Sequence, residues 1–348
     1  MFAFLNEPLK VILDGIYSII RNYGWSIVIF TLLIRALLMP LDAKSRKSMR
    51  KTQKLQPQLA ALQKKYKNDK EKLNQKTMEL YRKEKVSPLS GCLPMLLSLP
   101  ILFGMFGAMN VLAHEQTATH VFQYLAGSEP QYEGWLWVKN IWMPDSPFAP
   151  NVPDANSISQ VTPQNWRAVY NELDETQKTA IDTFNNSLSE DQRINFDFTD
   201  AGAKATSEKI VSVLTNHVPK YKESILKVGQ TESSPGVQIN LIIAQLSIFA
   251  SYNGFFILPL LAAISQFMMS SAMPQAAASQ DGQPNTAGFM KWFFPIFSLF
   301  ICFSYNAGFA LYWVTANLIA AAQNVLLNKY FDAQEKKAAL AEGEGTVK

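Results

Sequence analysis

Apolar and polar positions along this chain are sorted into long blocks rather than mixed. Five apolar runs stand out, at 24–41, 89–112, 249–271, 289–304 and 307–328. As helices they would rise roughly 24–36 Å, against a hydrocarbon core of about 30 Å, so each predicts a transmembrane helix. Ahead of the first, Leu5, Leu9, Ile12, Leu13, Ile16, Ile19 and Ile20 recur at helical spacing with Lys10, Asp14, Ser18 and Arg21 opposite. That pattern predicts an interfacial amphipathic helix over 1–23. An uncleaved weak signal sequence is the other reading, while Glu7, Lys10 and Asp14 argue against a cleavable one. The expected architecture is an all-α polytopic membrane protein with five transmembrane helices.

The polar blocks set the orientation. Residues 42–88 carry fifteen Lys and Arg against five acids, among them Lys44, Arg46, Lys47, Arg50, Lys51 and Lys54. Residues 113–248 carry nine against sixteen. The positive-inside bias places 42–88 in the cytoplasm and 113–248 outside. The N-terminus is then outside, the 272–288 loop inside, and the 329–348 tail cytoplasmic. In the basic block Leu55, Leu59, Leu62 and Tyr66 follow 4-3-4 spacing, and Leu73 with Leu80 forms a second seam, which predicts a cytoplasmic helical hairpin. Its surface suits lipid headgroups or a nucleic-acid-rich partner, and equally a plain orienting charge. In 113–248, Trp135, Leu136, Trp137, Trp142 and Met143 read as an interfacial belt. Thr162-Pro163 reads as a helix start, Ser189 as another, and 204–228 as helix, so the extracytoplasmic insertion is expected to be helical.

Composition adds mainly exclusions. The chain is 48% hydrophobic and 17% charged, below the roughly 25% charge of soluble domains. Its two cysteines, Cys92 and Cys302, sit in different apolar runs and suggest no disulfide framework. No phosphate-binding loop, H-E-x-x-H or G-x-S-x-G motif occurs. His120 and His217 lack metal-ligand spacing. No catalytic residue, cofactor or metal is expected, and the chain reads as something other than an enzyme.

The polar residues inside the apolar runs carry the candidate chemistry. Arg35 lies in the middle of the first run, where a charge costs about 2.5–3.5 kcal/mol on insertion scales, so it is a functional candidate by default. Snorkelling toward Leu41, roughly 9 Å along the helix, is the plain alternative. Thr31 shares its face. Ser265, Gln266 and Ser270 mark the third run, and Trp313, Asn317 and Asn324 one side of the last, with Tyr312 and Thr315 nearby. Singly, such residues are more often interhelical glue. Together with Arg35 they favour a wet cavity.

Several motifs occur in one order: Gly24-Trp25-Ser26-Ile27 through Arg35 to Met39-Pro40-Leu41, then Leu55-Gln56-Pro57, then Tyr81 through Pro94, most specific of all. Leu99-Pro100-Ile101, Ile257-Leu258-Pro259, Phe294-Pro295-Ile296-Phe297 and Gly308 through Asn317 follow. In these pieces, covering 1–112 and about 249–330, the chain resembles the YidC/Oxa/Alb family of membrane-protein insertases. The resemblance implies five spans around a hydrophilic groove open to cytoplasm and lipid. It implies that Arg35 is the groove arginine, that Tyr312 and Trp313 are aromatic positions meeting substrate, and that Gln266 lines the groove. The implied partners are nascent membrane proteins, membrane lipids, the Sec translocon and the ribosome, with no direct small-molecule substrate, in a bacterial inner or plasma membrane. The 113–248 segment is far longer than the connection usual in that family. The tail, with Glu335, Glu342 and Glu344 against its lysines, argues against strong ribosome tethering. The competing readings are an assembly scaffold without insertase activity, and an anion transporter, for which the five runs lack inverted repeats.

Overall fold

The computed structural model describes residues 3–85, 93–231, 233–240, 245–272 and 286–345. Parts of the expected spans and loops at 86–92 and 273–285, including Cys92 and much of the Tyr81–Pro94 motif, lie outside the described residues. The chain divides into two compact units. One comprises Met1–Ile29, Phe103–Leu261 and Leu299–Tyr312, the other Phe30–Leu102, Ala262–Ser298 and Trp313–Lys348.

In the first unit, α1 (Asn6–Ile20) buries Leu9 and Leu13. It packs on α5 (Leu93–Leu125) where that helix is narrow: a side chain at Gly104 would strike Leu5 and Leu9, and one at Gly107 would strike Asn6. Lys10, expected on the solvent face, instead bridges Asp14 at 3.4 Å and Glu115 of α5 at 3.2 Å. Val11, Ile12 and Ile19 stay exposed, so α1 still offers an apolar strip outward.

The segment after α5 folds into five short helices: α6 (Ala155–Gln160), α7 (Pro163–Glu172), α8 (Glu175–Ser187), α9 (Ala203–His217) and α10 (Pro219–Ser224). They surround a core of Phe122, Trp166, Ile181, Ile210 and Leu214, with Trp166 stacked on Phe198 at 5.6 Å. The expected start at Thr162 is there: its hydroxyl accepts from the Asn165 amide, with Pro163 at the first helical position. Two expectations need correcting. Ser189 opens only a turn, because Asn185 bonds both backbone groups of Ile194 and draws the chain back onto α8. The helix expected over 204–228 breaks at Val218, which the ring of Pro219 forces out of helical geometry. Two small antiparallel hairpins follow, β1 (Gln230–Thr231) with β2 (Ser234–Pro235) and β3 (Gln238–Asn240) with β4 (Gln245–Ser247). The loop after β4 occupies the start of the run read as a span from 249, and α11 (Ile257–Ala272) begins only at Ile257.

Two buried side chains tie this unit's loops to the start of α11. The Asn253 amide donates to the carbonyls of Asn140, Met143 and Pro144, and its Oδ1 accepts from Asn140 N–H. The fully buried Asp145 carboxylate accepts from the backbone N–H of Phe255, Phe256 and Leu258 and from the Trp137 indole. A carboxylate at a helix N-terminus satisfies donors that the helix itself leaves open. Trp142 and Met143, expected in an interfacial belt, are buried beneath this junction.

The second unit holds most of the long apolar helix α2 (Tyr23–Lys54), which runs past the apolar stretch into the basic block without a stop. Its 32 residues rise about 48 Å, longer than a hydrocarbon core. Then come α3 (Gln56–Lys65) and α4 (Lys70–Lys83), capped by Asp69, which accepts from Lys72 N–H. Leu55 and Leu59 close on Leu80 and Tyr81, making the basic hairpin, while Leu62 is half-buried. The unit also takes in parts of α11, of α12 (Thr286–Ser304) and of α13 (Ala307–Gly345), whose helix continues through what reads in sequence as a tail.

Candidate functional site

Within the second unit, polar side chains on α2, α11 and α13 gather among apolar helices. Thr31 is buried. Arg35 is half-buried, and its guanidinium makes no hydrogen bond and no ion pair among the described residues. Pro40 deprives the Ala36 carbonyl of its helical donor. Beside that loosened turn, Gln323 of α13 donates to the Arg35 carbonyl at 3.2 Å. The backbone is thus anchored to α13 while the charge is left uncommitted.

Gln266 and Asn317 are brought together directly. The Asn317 amide donates to Gln266 Oε1 at 3.0 Å and reaches Ser265 Oγ at 3.5 Å, all three side chains being buried. Ser265 in turn donates to the Ala262 carbonyl. This triad joins α11 to α13 in the manner of interhelical polar contacts in membranes. Asn324, one helical step on from Gln323, keeps a buried amide nitrogen without a partner among the described residues, as Ser298 does a buried hydroxyl. Trp313 is half-buried. Tyr312 belongs to the first unit, where it is buried near Phe309.

Below Arg35 on α2 a charged ladder continues. Asp42 is half-buried, with the charges of Arg35 and Arg46 nearby. Arg46 is buried, and its Nη1 and the Ser45 hydroxyl have no hydrogen-bond partner among the described residues. Of the other hairpin cations, Arg50 and Lys54 meet Asp332 and Glu335 of α13. Lys44, Lys47 and Lys51 are exposed. Asp42, Gln323 and Asp332 escaped the reading of the sequence, in which Glu335 figures only as a tail charge. Spacing alone links none of them to Arg35 or Arg50, although an acid seven residues from Arg35 on one helix is visible there.

Beside the triad, Phe267, Met268, Leu318, Ala321, Ala322 and Val325 line an apolar trough of about 710 Å³ between α11 and α13. Large apolar side chains stand bare elsewhere too: Leu37 on α2, Ile296 and Phe300 on α12, Leu326 on α13. So many bare large apolar side chains are unusual on a surface that faces water. Helices that satisfy their own backbone while exposing such faces are built for lipid. Two described helices, Tyr23–Lys54 and Ala307–Lys337, are long and apolar enough to span, with shorter apolar helices at Ile257–Ser271 and Lys291–Ser304.

These features define a helical membrane protein with polar and charged groups inside its apolar helices. The chain belongs to the 60Kd inner membrane protein family, whose model matches residues 15–185 and 224–336. Among similar proteins is a membrane protein insertase YidC of Fusobacterium nucleatum, 43% identical over 132 residues, or 38% of this chain and 64% of that one. Another, from Syntrophus aciditrophicus, is 44% identical over 132 residues, covering 37% of this chain and 24% of that one. A third, from Anaeromyxobacter, is 36% identical over 165 residues, covering 47% and 27%. The matched stretches thus span less than two thirds of each of these relatives.

Proposed function

We propose that this protein is a membrane protein insertase that passes polar extracytoplasmic tails of small membrane proteins through a hydrophilic groove and releases their apolar segments into lipid. The observation that carries this reading is the Arg35 guanidinium, held among apolar helices by its backbone and left without a partner among the described residues. The names of the relatives support it. In this reading five spans, at 24–41, 89–112, 249–271, 289–304 and 307–328, surround the groove. The N-terminus and 113–248 lie outside, the 42–88 hairpin and the tail in the cytoplasm of a bacterial cell.

An acidic tail entering the groove would meet Arg35 where water is scarce and attraction is stronger than in bulk. Its apolar segment would leave along the trough between α11 and α13, driven by burial in lipid. The protein lowers the barrier for the polar part and makes no covalent bond. Nascent membrane proteins are the substrates, with the Sec translocon and the ribosome as partners.

The test is protease-protected insertion of a small single-span protein with an acidic outer tail into liposomes holding the purified chain. Empty liposomes and Arg35→Ala and Arg35→Lys variants run beside it. Insertion above empty liposomes, lost in Arg35→Ala and largely kept in Arg35→Lys, supports the reading. No gain over empty liposomes with a folded protein favours an assembly scaffold instead. Equal loss in both variants removes the role of Arg35 as a charge.

A further inference from the structure

The basic end of α2 and the continuation of α13 enclose a crease of about 270 Å³ that the insertase reading does not use. We propose that this crease, lined by Lys47, Arg50, Lys51, Lys54, Phe331 and Glu335, binds the phosphate-bearing headgroup of an anionic lipid in the leaflet facing the basic hairpin.

Its depth is set by Arg50. The guanidinium donates to the Asn328 carbonyl at 3.2 Å and lies over the Phe331 ring, 5.6 Å from its centre. Asn328 closes the apolar run of α13, and Tyr330 and Phe331 follow as an aromatic pair, Tyr330 exposed. Aromatic rings just past an apolar run mark the headgroup level. Although Arg50 lies nine residues beyond Leu41 in sequence, its charge is therefore held at the membrane surface rather than out in water.

Its charge is incompletely matched. Arg50 meets Asp332 and, at 3.7 Å, Glu335, while Lys54 meets Glu335 at 3.0 Å. Lys47 and Lys51 face the same crease, exposed and without an ion pair among the described residues. Four cations thus share two carboxylates, which leaves two positive charges. Asp332 and Glu335 already show that the crease accepts an oxyanion. A phosphate adds more acceptor oxygens and matches the Arg50 fork. Basic pockets between membrane helices at this level suit anionic headgroups.

The test uses the full chain reconstituted in phosphatidylcholine vesicles containing a minor share of phosphatidylglycerol. Mass spectrometry then counts the lipid retained on extraction. The expected result is preferential retention of phosphatidylglycerol, weakened roughly tenfold or more by Lys47→Gln with Lys51→Gln and strengthened by Glu335→Gln, which removes the competing carboxylate. Both lysines are exposed, so the double variant should keep its helix content, checked by circular dichroism. Retention unchanged in the double variant overturns the site. Release of the lipid by inorganic phosphate in place of added lipid assigns the crease to free phosphate. Release by an oligonucleotide assigns it to nucleic acid; either overturns the lipid.

Discussion

The Asn317 amide and Gln266 Oε1 are hydrogen-bonded at 3.0 Å, so two residues expected to line a groove also bond each other across α11 and α13. Polar pairs of this kind in membranes have coupling energies of roughly 0.6–2 kcal/mol. The double substitution Gln266→Leu with Asn317→Leu should therefore cost less stability than the sum of the single ones, with a coupling near 1 kcal/mol. Unfolding of the four proteins in detergent measures it. If the pair is glue, the double variant keeps most insertion activity while Arg35→Ala does not.

Asn253 serves Asn140, Met143 and Pro144 at once from a fully buried position. Asn253→Ala leaves the Pro144 carbonyl and the Asn140 N–H without these partners, while the Asn140 and Met143 carbonyls keep the N–H groups of Met143 and Ala307. Each buried unpaired group costs about 1–3 kcal/mol, so the expected loss is at least about 2 kcal/mol. Limited proteolysis should show it as earlier cleavage within 113–248.

Gly254 lies so close to Asp145 that an added Cβ would sit 2.0 Å from Oδ1. That carboxylate is pinned by four donors and has nowhere to go. Gly254→Ala is expected to destabilise by about 1–3 kcal/mol, as overpacking does, while Gly15→Ala, with nothing within 4 Å of its added carbon and no positive φ, is expected to cause no loss. A thermal melt in detergent separates the two.

His120 is buried edge-on to Tyr132, ring centres 4.7 Å apart, and burial pushes its imidazole down to about 4. An unfolded histidine titrates near 6.5. Between these values the unfolded chain binds the extra proton, so stability rises with pH through the window. Above pH 6.5 the contribution is complete; as pH falls toward 4 about 3 kcal/mol is lost. Urea unfolding followed by tryptophan fluorescence at pH 7.5 and 4.5 should show this loss, and His120→Phe should flatten it.

How far the sequence could be read depended on the range of the interactions. Thr162-Pro163 announced its helix because cap and helix are adjacent, and the Leu55–Leu59 seam because it repeats within one turn. The break at Pro219 was equally local but was overridden by apolar spacing that continued through it. Asn253 and Asp145 were illegible: their partners lie more than a hundred residues away and leave no periodic trace. The tail misled in another way. Its acids lower its net charge, yet Asp332 and Glu335 are individually matched to Arg50 and Lys54. At Arg35 the sequence supplied the charge, while its lack of a partner among the described residues is a fact of geometry.

From Gly308 to Gly343 the last helix contains neither glycine nor proline. Asn317, bonded to α11, and Glu335, bonded to Arg50 and Lys54, therefore ride on one stiff rod about 27 Å apart. Such a rod lacks the glycine or proline at which helices most readily kink, so the ion pairs of Arg50 and the anchoring of Arg35 at Gln323 share one continuous element.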